Sequence, residues 1–131
     1  MTREQKLDLV EYRMANSKKT LVEVEVLLQN KLWNIAVNRL YYACFYAVSA
    51  LLVYNDISTK THAGARQMLG LHFIDTEIMN KENGRFYSKI FTMRHKGDYE
   101  DFIDYAESDL TELILPAKTF INQVQELLSR Q

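Results

Sequence analysis

Apolar residues recur along this chain at steps of three and four, and no stretch alternates with the period of two that a half-buried strand requires. The first stripe, Leu7, Val10, Met14, Leu21, Val24 and Leu28, has Lys, Glu and Gln between its members and predicts an amphipathic first helix. Gln29-Asn30-Lys31 is short and polar, so a second helix is expected to turn back antiparallel to the first, as in an αα-hairpin. That second helix, about Leu32 to Tyr54, is apolar on nearly every side below Arg39 and must be covered by neighbours over most of its circumference.

Asn55-Asp56-Ile57-Ser58-Thr59 carries turn and cap residues, and a third helix is expected from Thr61 to about Phe73 with Ala65, Met68, Leu69 and Leu71 inward. The pattern weakens from Asp75. Asn83-Gly84 reads as a stop before a fourth helix from Arg85 to about His95, whose stripe is Phe86, Ile90 and Met93. Lys96 to Asp101 breaks the period, and a last helix begins near Tyr105. Its stripe of Leu110, Leu113, Ala117, Phe120, Val124 and Leu127 passes through Pro116 without losing phase. A proline inside a helix removes one backbone hydrogen bond and crowds the preceding turn, which predicts one helix kinked at Pro116. The fold class expected is all-α, an up-and-down helical bundle of four to five helices in which residues 1–131 form one domain.

Charge and composition narrow the functional classes. The 131 residues suffice for a hydrophobic core without staples. Sixteen Lys and Arg balance 17 Asp and Glu, so nothing in the overall charge draws the chain onto nucleic acid and any such binding needs a local site. Cys44 is the sole cysteine and sits in an apolar run, the signature of a buried thiol in a reducing, cytoplasmic protein. The charged start, Met1 to Lys6, lacks the features of a signal peptide. Leu40 to Val53, interrupted only by Ser49, runs 14 residues, short of the roughly 18 of a membrane span, so no membrane is expected. Tyr41, Tyr42, Phe45 and Tyr46 crowd one segment of helix two. A chain of this size has little with which to cover them all, so part of this surface is expected to form a homodimer interface, the alternative being an ordinary core helix.

The chain has no Gly-rich phosphate loop, no Gly-x-Ser-x-Gly elbow and no His-Glu-x-x-His pair. His62, His72 and His95 lie on separate segments without ligand spacing, and no metal or cofactor is expected. Two polar clusters remain, Asn38-Arg39 and the run from Met93 to Tyr99. The second gathers a guanidinium, an imidazole, an ammonium, a carboxylate and a phenol. Its Arg and Lys can bind phosphate, Arg in bidentate fashion. The blander alternative is that Arg94 pairs with Asp98, or that the cations face the negative end of the helix dipole.

Asn38-Arg39-Leu40-Tyr41-Tyr42-Ala43-Cys44-Phe45, then Lys60-Thr61-His62, then Arg94-His95-Lys96-Gly97-Asp98-Tyr99, taken in that order, resemble the HEPN domain family. The likeness is to its small stand-alone prokaryotic branch and covers nearly the whole chain. It implies a homodimeric up-and-down bundle that works beside a minimal nucleotidyltransferase in toxin–antitoxin pairs, or as a nucleotide- or RNA-binding module. Many members are metal-independent ribonucleases with an Arg-x(4–6)-His motif at the dimer interface. Counted from Arg94, the histidine position falls on Tyr99, Glu100 or Asp101. His95 adjoins Arg94, and neighbouring side chains on a helix point about 100° apart, so it is a poor substitute. His62 approaches Arg94 if helices three and four pack side by side.

Two readings follow from the resemblance. The preferred one is a binding module without an intact ribonuclease motif, presenting Arg39, Arg94, Lys96, Asp98 and Tyr99 to a nucleotide, RNA or a partner protein. The alternative is a metal-independent endoribonuclease toxin in which Arg94 binds phosphate, His62 or His95 moves the proton and Asp98 orients one of them.

Overall fold

The computed structural model describes residues 1–130. Five α-helices run α1 (Arg3–Gln29), α2 (Trp33–Tyr54), α3 (His62–Leu69), α4 (Lys81–Tyr99) and α5 (Glu107–Ser129), with a π-helical turn at Gly70–Ile74 continuing α3. No strand occurs among the described residues, so the all-α class holds.

α1 begins at a reciprocal capping box: Thr2 Oγ1 accepts from the Gln5 N–H at 3.1 Å, and Gln5 Oε1 accepts from the Thr2 N–H at 2.9 Å. Its contacts with α2 run Lys6–Asp56, Arg13–Ser49, Ser17–Ala43 and Glu23–Arg39, one number rising as the other falls, which is the antiparallel hairpin expected. The inward stripe differs from the expected one. Leu7 is exposed, while Ser17 and Thr20 are buried between Met14 and Val24. Both hydroxyls are satisfied by backbone carbonyls, Ser17 on Ala43 at 2.6 Å and Thr20 on Asn16 at 2.7 Å, and that satisfaction permits their burial.

α2 packs against each of the other four helices. Ala36, Ala43, Cys44, Ala47 and Ala50 are all fully buried along it, and such small side chains let neighbouring backbones approach closely. By length and composition this helix would qualify to cross a membrane, yet 61% of its most apolar window is buried inside the bundle. It is the core helix.

Three boundaries correct the sequence expectations. Leu71, expected inward, is exposed and Phe73 is buried instead, because the π-helical turn after Leu69 advances less per residue and shifts the phase. Asn83-Gly84 does not stop a helix. Asn80 is the cap of α4, its Oδ1 accepting the Asn83 N–H at 2.8 Å, and Asn83 is buried with its amide 3.2 Å from Gln123 Oε1. Gly84 serves close approach: a Cβ there would lie 3.1 to 3.2 Å from three carbons of Ile74. At its other end α4 continues to Tyr99, so Lys96, Gly97 and Asp98 are helical. α5 starts where Asp109 accepts the Ala106 N–H at 2.8 Å and runs as one helix through Pro116; that continuity does not by itself establish the expected kink.

The α4–α5 loop is pinned to the start of α2. Asn34 Nδ2 donates to the Ile103 carbonyl at 2.9 Å, Asn34 Oδ1 accepts the Tyr105 N–H at 2.8 Å, and the Tyr105 hydroxyl donates to the Met93 carbonyl at 2.7 Å.

Candidate functional site around Arg94 and His62

Spacing of four residues on α4 places Arg94 and Asp98 one turn apart on the face toward α2. Arg94 Nη1 lies 3.5 Å from Asp98 Oδ2, and Asn38 of α2 reaches the same carboxylate at 3.0 and 3.3 Å. Residues from two separate sequence clusters therefore meet across the α2–α4 contact.

Arg94 is only 7% exposed. Its guanidinium carbon lies 4.8 Å from the Tyr41 ring centroid and 5.8 Å from that of Tyr42, so aromatic faces supply much of its stabilisation. The single ion pair is long beside the ~2.8 Å of a well-made charged hydrogen bond, and Nε has no partner. A buried cation with one stretched contact is costly to keep out of water.

His62 opens α3, where Thr61 Oγ1 accepts the Gly64 N–H at 2.8 Å and fixes the turn. Its Nδ1 lies 2.9 Å from the Tyr41 hydroxyl, and its ring sits 4.4 Å from Phe45, 5.5 Å from Tyr42 and 5.6 Å from Tyr41, centroid to centroid. Arg94 and His62 thus approach the same Tyr41 ring, as side-by-side packing of α3 and α4 requires. Burial, and after it the charge of Arg94, holds the His62 imidazole below the usual histidine range. Burial also raises the Tyr41 phenol, which stays protonated and can donate to Nδ1, leaving the ring hydrogen on Nε2. Beneath them the Tyr87 hydroxyl is buried beside that of Tyr41, and burial pushes it well above the ordinary phenol value. Tyr41 and Tyr87 were outside the expected site, although the Tyr-Tyr pair beside Arg39 is part of the recurring pattern that marks it.

The other candidates stand apart. His95 is exposed and leans on Tyr99 at 4.9 Å between rings; because the helix continues past it, it points away from Arg94. Tyr99 is 70% exposed. Arg39 lies over the Tyr42 ring at 5.3 Å with Glu23 at 3.8 Å, sharing Tyr42 with Arg94 without joining it. Among the described residues no three His, Cys, Asp or Glu side chains converge as a metal-ligand cluster.

Lys96 belongs to a different feature. A groove of about 960 Å³ runs along α4 beside α3, the π-helical turn and the loop before α5. Arg66, Lys81, Arg85, Lys89 and Lys96 line it against a single carboxylate, Asp75. Four of these cations lie on α4, the first three at steps of four residues, a spacing visible in the sequence but submerged in a balanced net charge.

Around Arg94 the chemistry available is specific. A guanidinium with spare donors can take a phosphate oxygen, and a neutral imidazole held by a phenol can exchange a proton near neutral pH. The HEPN domain profile matches residues 10–127. A UPF0332 protein of Thermotoga maritima is 34% identical over 124 residues, covering 95% of this chain and 94% of its own length. Two Methanocaldococcus jannaschii proteins are also similar. "Putative toxin MJ0605" is 31% identical across 86% of this chain and 83% of its own, and "Putative toxin MJ0142" is 28% identical across 91% and 81%.

Proposed function

This chain belongs to the HEPN domain family, and from that premise we propose that it is the toxin-type half of a two-component pair, acting in the cytoplasm on RNA at the edge where Arg94, His62 and Tyr41 meet. The observation that carries this reading is the state of Arg94: buried, held by one long ion pair and two aromatic faces, with an unpartnered Nε beside a neutral histidine. A buried polar group left unsatisfied calls for an explanation, and a functional role is one. The half-buried rings of Tyr42, Phe45 and Tyr46 continue the same face of α2 and suit stacking on bases, which is tolerant of sequence. The toxin names of two relatives favour the toxin role; the partner we assign to it, a minimal nucleotidyltransferase on a separate chain, is carried by the family resemblance alone.

A second reading is favoured by the approach of Arg94 and His62 to one Tyr41 side chain: metal-independent endoribonuclease activity, with Arg94 on the scissile phosphate and His62 Nε2 moving the proton. Tyr41 then holds the imidazole through Nδ1 and selects its tautomer. Incubation with a mixed RNA pool in EDTA separates the readings. Cleavage by the parent that disappears in both Arg94→Met and His62→Asn supports the enzyme; RNA binding without cleavage supports the binding module; neither binding nor cleavage refutes both.

A further inference from the structure

The groove beside α4 holds charges that the fold itself does not use. Arg66, Lys81, Arg85, Lys89 and Lys96 line it, and among the described residues none of them has a carboxylate within 4 Å. Asp75 is the one acid on its wall. Glu82 and Glu112 share a neighbouring hollow with Arg85 and Lys89, and they too stay beyond ion-pair distance. Lys81, Arg85 and Lys89 repeat one turn apart, where like charges repel, and Lys81 stands in the first turn of α4, at the positive end of its dipole. Both effects disfavour α4 in the isolated chain, and an anion laid along the groove relieves both.

The walls indicate which anion. Leu69, Ile74, Met93 and Ile103 line the groove. Of its two tyrosines, Tyr87 is buried and Tyr105 is bound through its hydroxyl to the Met93 carbonyl, so the apolar side chains an occupant meets are mainly aliphatic. The half-buried rings suited to stacking on bases, Tyr42, Phe45 and Tyr46, are on α2 instead. An aliphatic stripe flanked by carboxylates one turn apart is the surface of an acidic amphipathic helix, whose ridges fit a groove walled by other helices. From Lys81 to Lys96, α4 runs about 22 Å, the length of a helix of about 15 residues.

We propose that this groove is the docking site for an acidic amphipathic helix of a partner protein, with its aliphatic stripe on the floor and its carboxylates at steps of four facing Lys81, Arg85 and Lys89. Arg66, held over the Phe91 ring at 4.4 Å, supplies a cation from the α3 wall. Arg85 and Arg94 are two and a half turns apart and so lie on opposite faces of α4. Docking leaves Arg94, His62 and Tyr41 uncovered, and the proposal holds whether or not that edge takes RNA.

The probe is a fluorescein-labelled synthetic helix of about 15 residues, with Leu at steps of three and four and Glu at steps of four beside them, titrated with the full chain by fluorescence anisotropy. The parent is expected to bind it saturably, and at least about tenfold more tightly than the same peptide with Gln in place of Glu. Arg85→Glu with Lys89→Glu is expected to reverse the preference, binding the Glu peptide at least about tenfold more weakly than the parent does and favouring a peptide with Lys in place of Glu. Gly70→Phe tests the floor without altering charge. Gly70 lines the groove in ordinary helical backbone, φ −60° and ψ −51°, and a Cβ there meets nothing within 4 Å, so the ring obstructs the groove in a folded chain. Peptide binding is expected to fall at least about tenfold in this variant, with RNA binding equal to the parent's, and circular dichroism checks the fold of each protein. No binding by the parent, equal binding of the Glu and Gln peptides, or unchanged peptide binding in Gly70→Phe would overturn the proposal. So would an RNA pool that the parent binds and Gly70→Phe binds more weakly, which would make the groove a nucleic-acid track.

Discussion

Arg94→Met separates a residue kept for chemistry from one kept for stability. Methionine retains the unbranched apolar stem and discards the charge. The interactions lost are a cation–π contact worth roughly 0.5 to 2 kcal/mol and a long i,i+4 ion pair worth about 0.5 kcal/mol or less. Against these stands the removal of a guanidinium from a site 7% exposed, with one nitrogen unpartnered, a burden of at least about 1 to 3 kcal/mol. Asp98 is not stranded, because Asn38 still donates to it and a third of its side chain meets solvent. The balance predicts a variant whose stability lies between unchanged and about 2 kcal/mol greater than the parent's. Arg94→Ala, which also removes the stem, is expected to lose about 2 to 3 kcal/mol to the cavity left behind. Urea unfolding followed by far-ultraviolet circular dichroism reads both changes, with equal m-values as the check on two-state behaviour. If Arg94→Met lost 3 kcal/mol or more, Arg94 would be a strut between α2 and α4, and the functional assignment would fail.

Other consequences are open to direct measurement. The His62 ring proton, followed by NMR, is expected to titrate below the usual histidine range and to move upward in Arg94→Met, with burial still holding it down; an unmoved titration would show that the two groups do not interact. The sign for stability follows. The folded state binds fewer protons than the unfolded chain, so the contribution is fully present above the ordinary histidine pKa and is lost as pH falls through that range toward the lowered folded value, less steeply in Arg94→Met. Cys44 is fully buried and its thiol is pushed up by that burial, so a thiol reagent should label it only as fast as the protein opens; stoichiometric labelling on mixing in native buffer would contradict this. Gly84→Ala gains about 1 kcal/mol of helix propensity but forces a Cβ against three carbons of Ile74, so a net loss of about 1 kcal/mol is expected, and a higher urea midpoint would show that Ile74 moves aside freely.

The helices were legible because periodicity reports which face is buried, and α2 was legible as the centre because only a helix covered by neighbours can be apolar all round. Features set by tertiary contact were not. Asn83-Gly84 carries the residue types of a terminator, yet here one bonds to α5 and the other admits Ile74, and no local pattern distinguishes these uses. The shifted phase at Phe73 depends on a π-helical turn with no strong residue signature. Ser17 and Thr20 look like surface until their carbonyl partners are known. At the site, the Arg94–Asp98 pair followed from helical spacing, whereas the approach of Arg94 and His62 to one Tyr41 side chain rests on how α2, α3 and α4 converge there. The cationic groove was hidden because its residues come from two helices in a chain of balanced charge.

Binding of an end-labelled single-stranded RNA pool, measured by fluorescence anisotropy for the parent and for folded Arg94→Met at one fixed salt concentration, tests the central claim most directly. The parent is expected to bind, and the variant to bind at least about tenfold more weakly, the loss of one charge-assisted phosphate contact. Equal affinity in the two proteins, or no binding by the parent, would contradict the assignment of this edge to RNA.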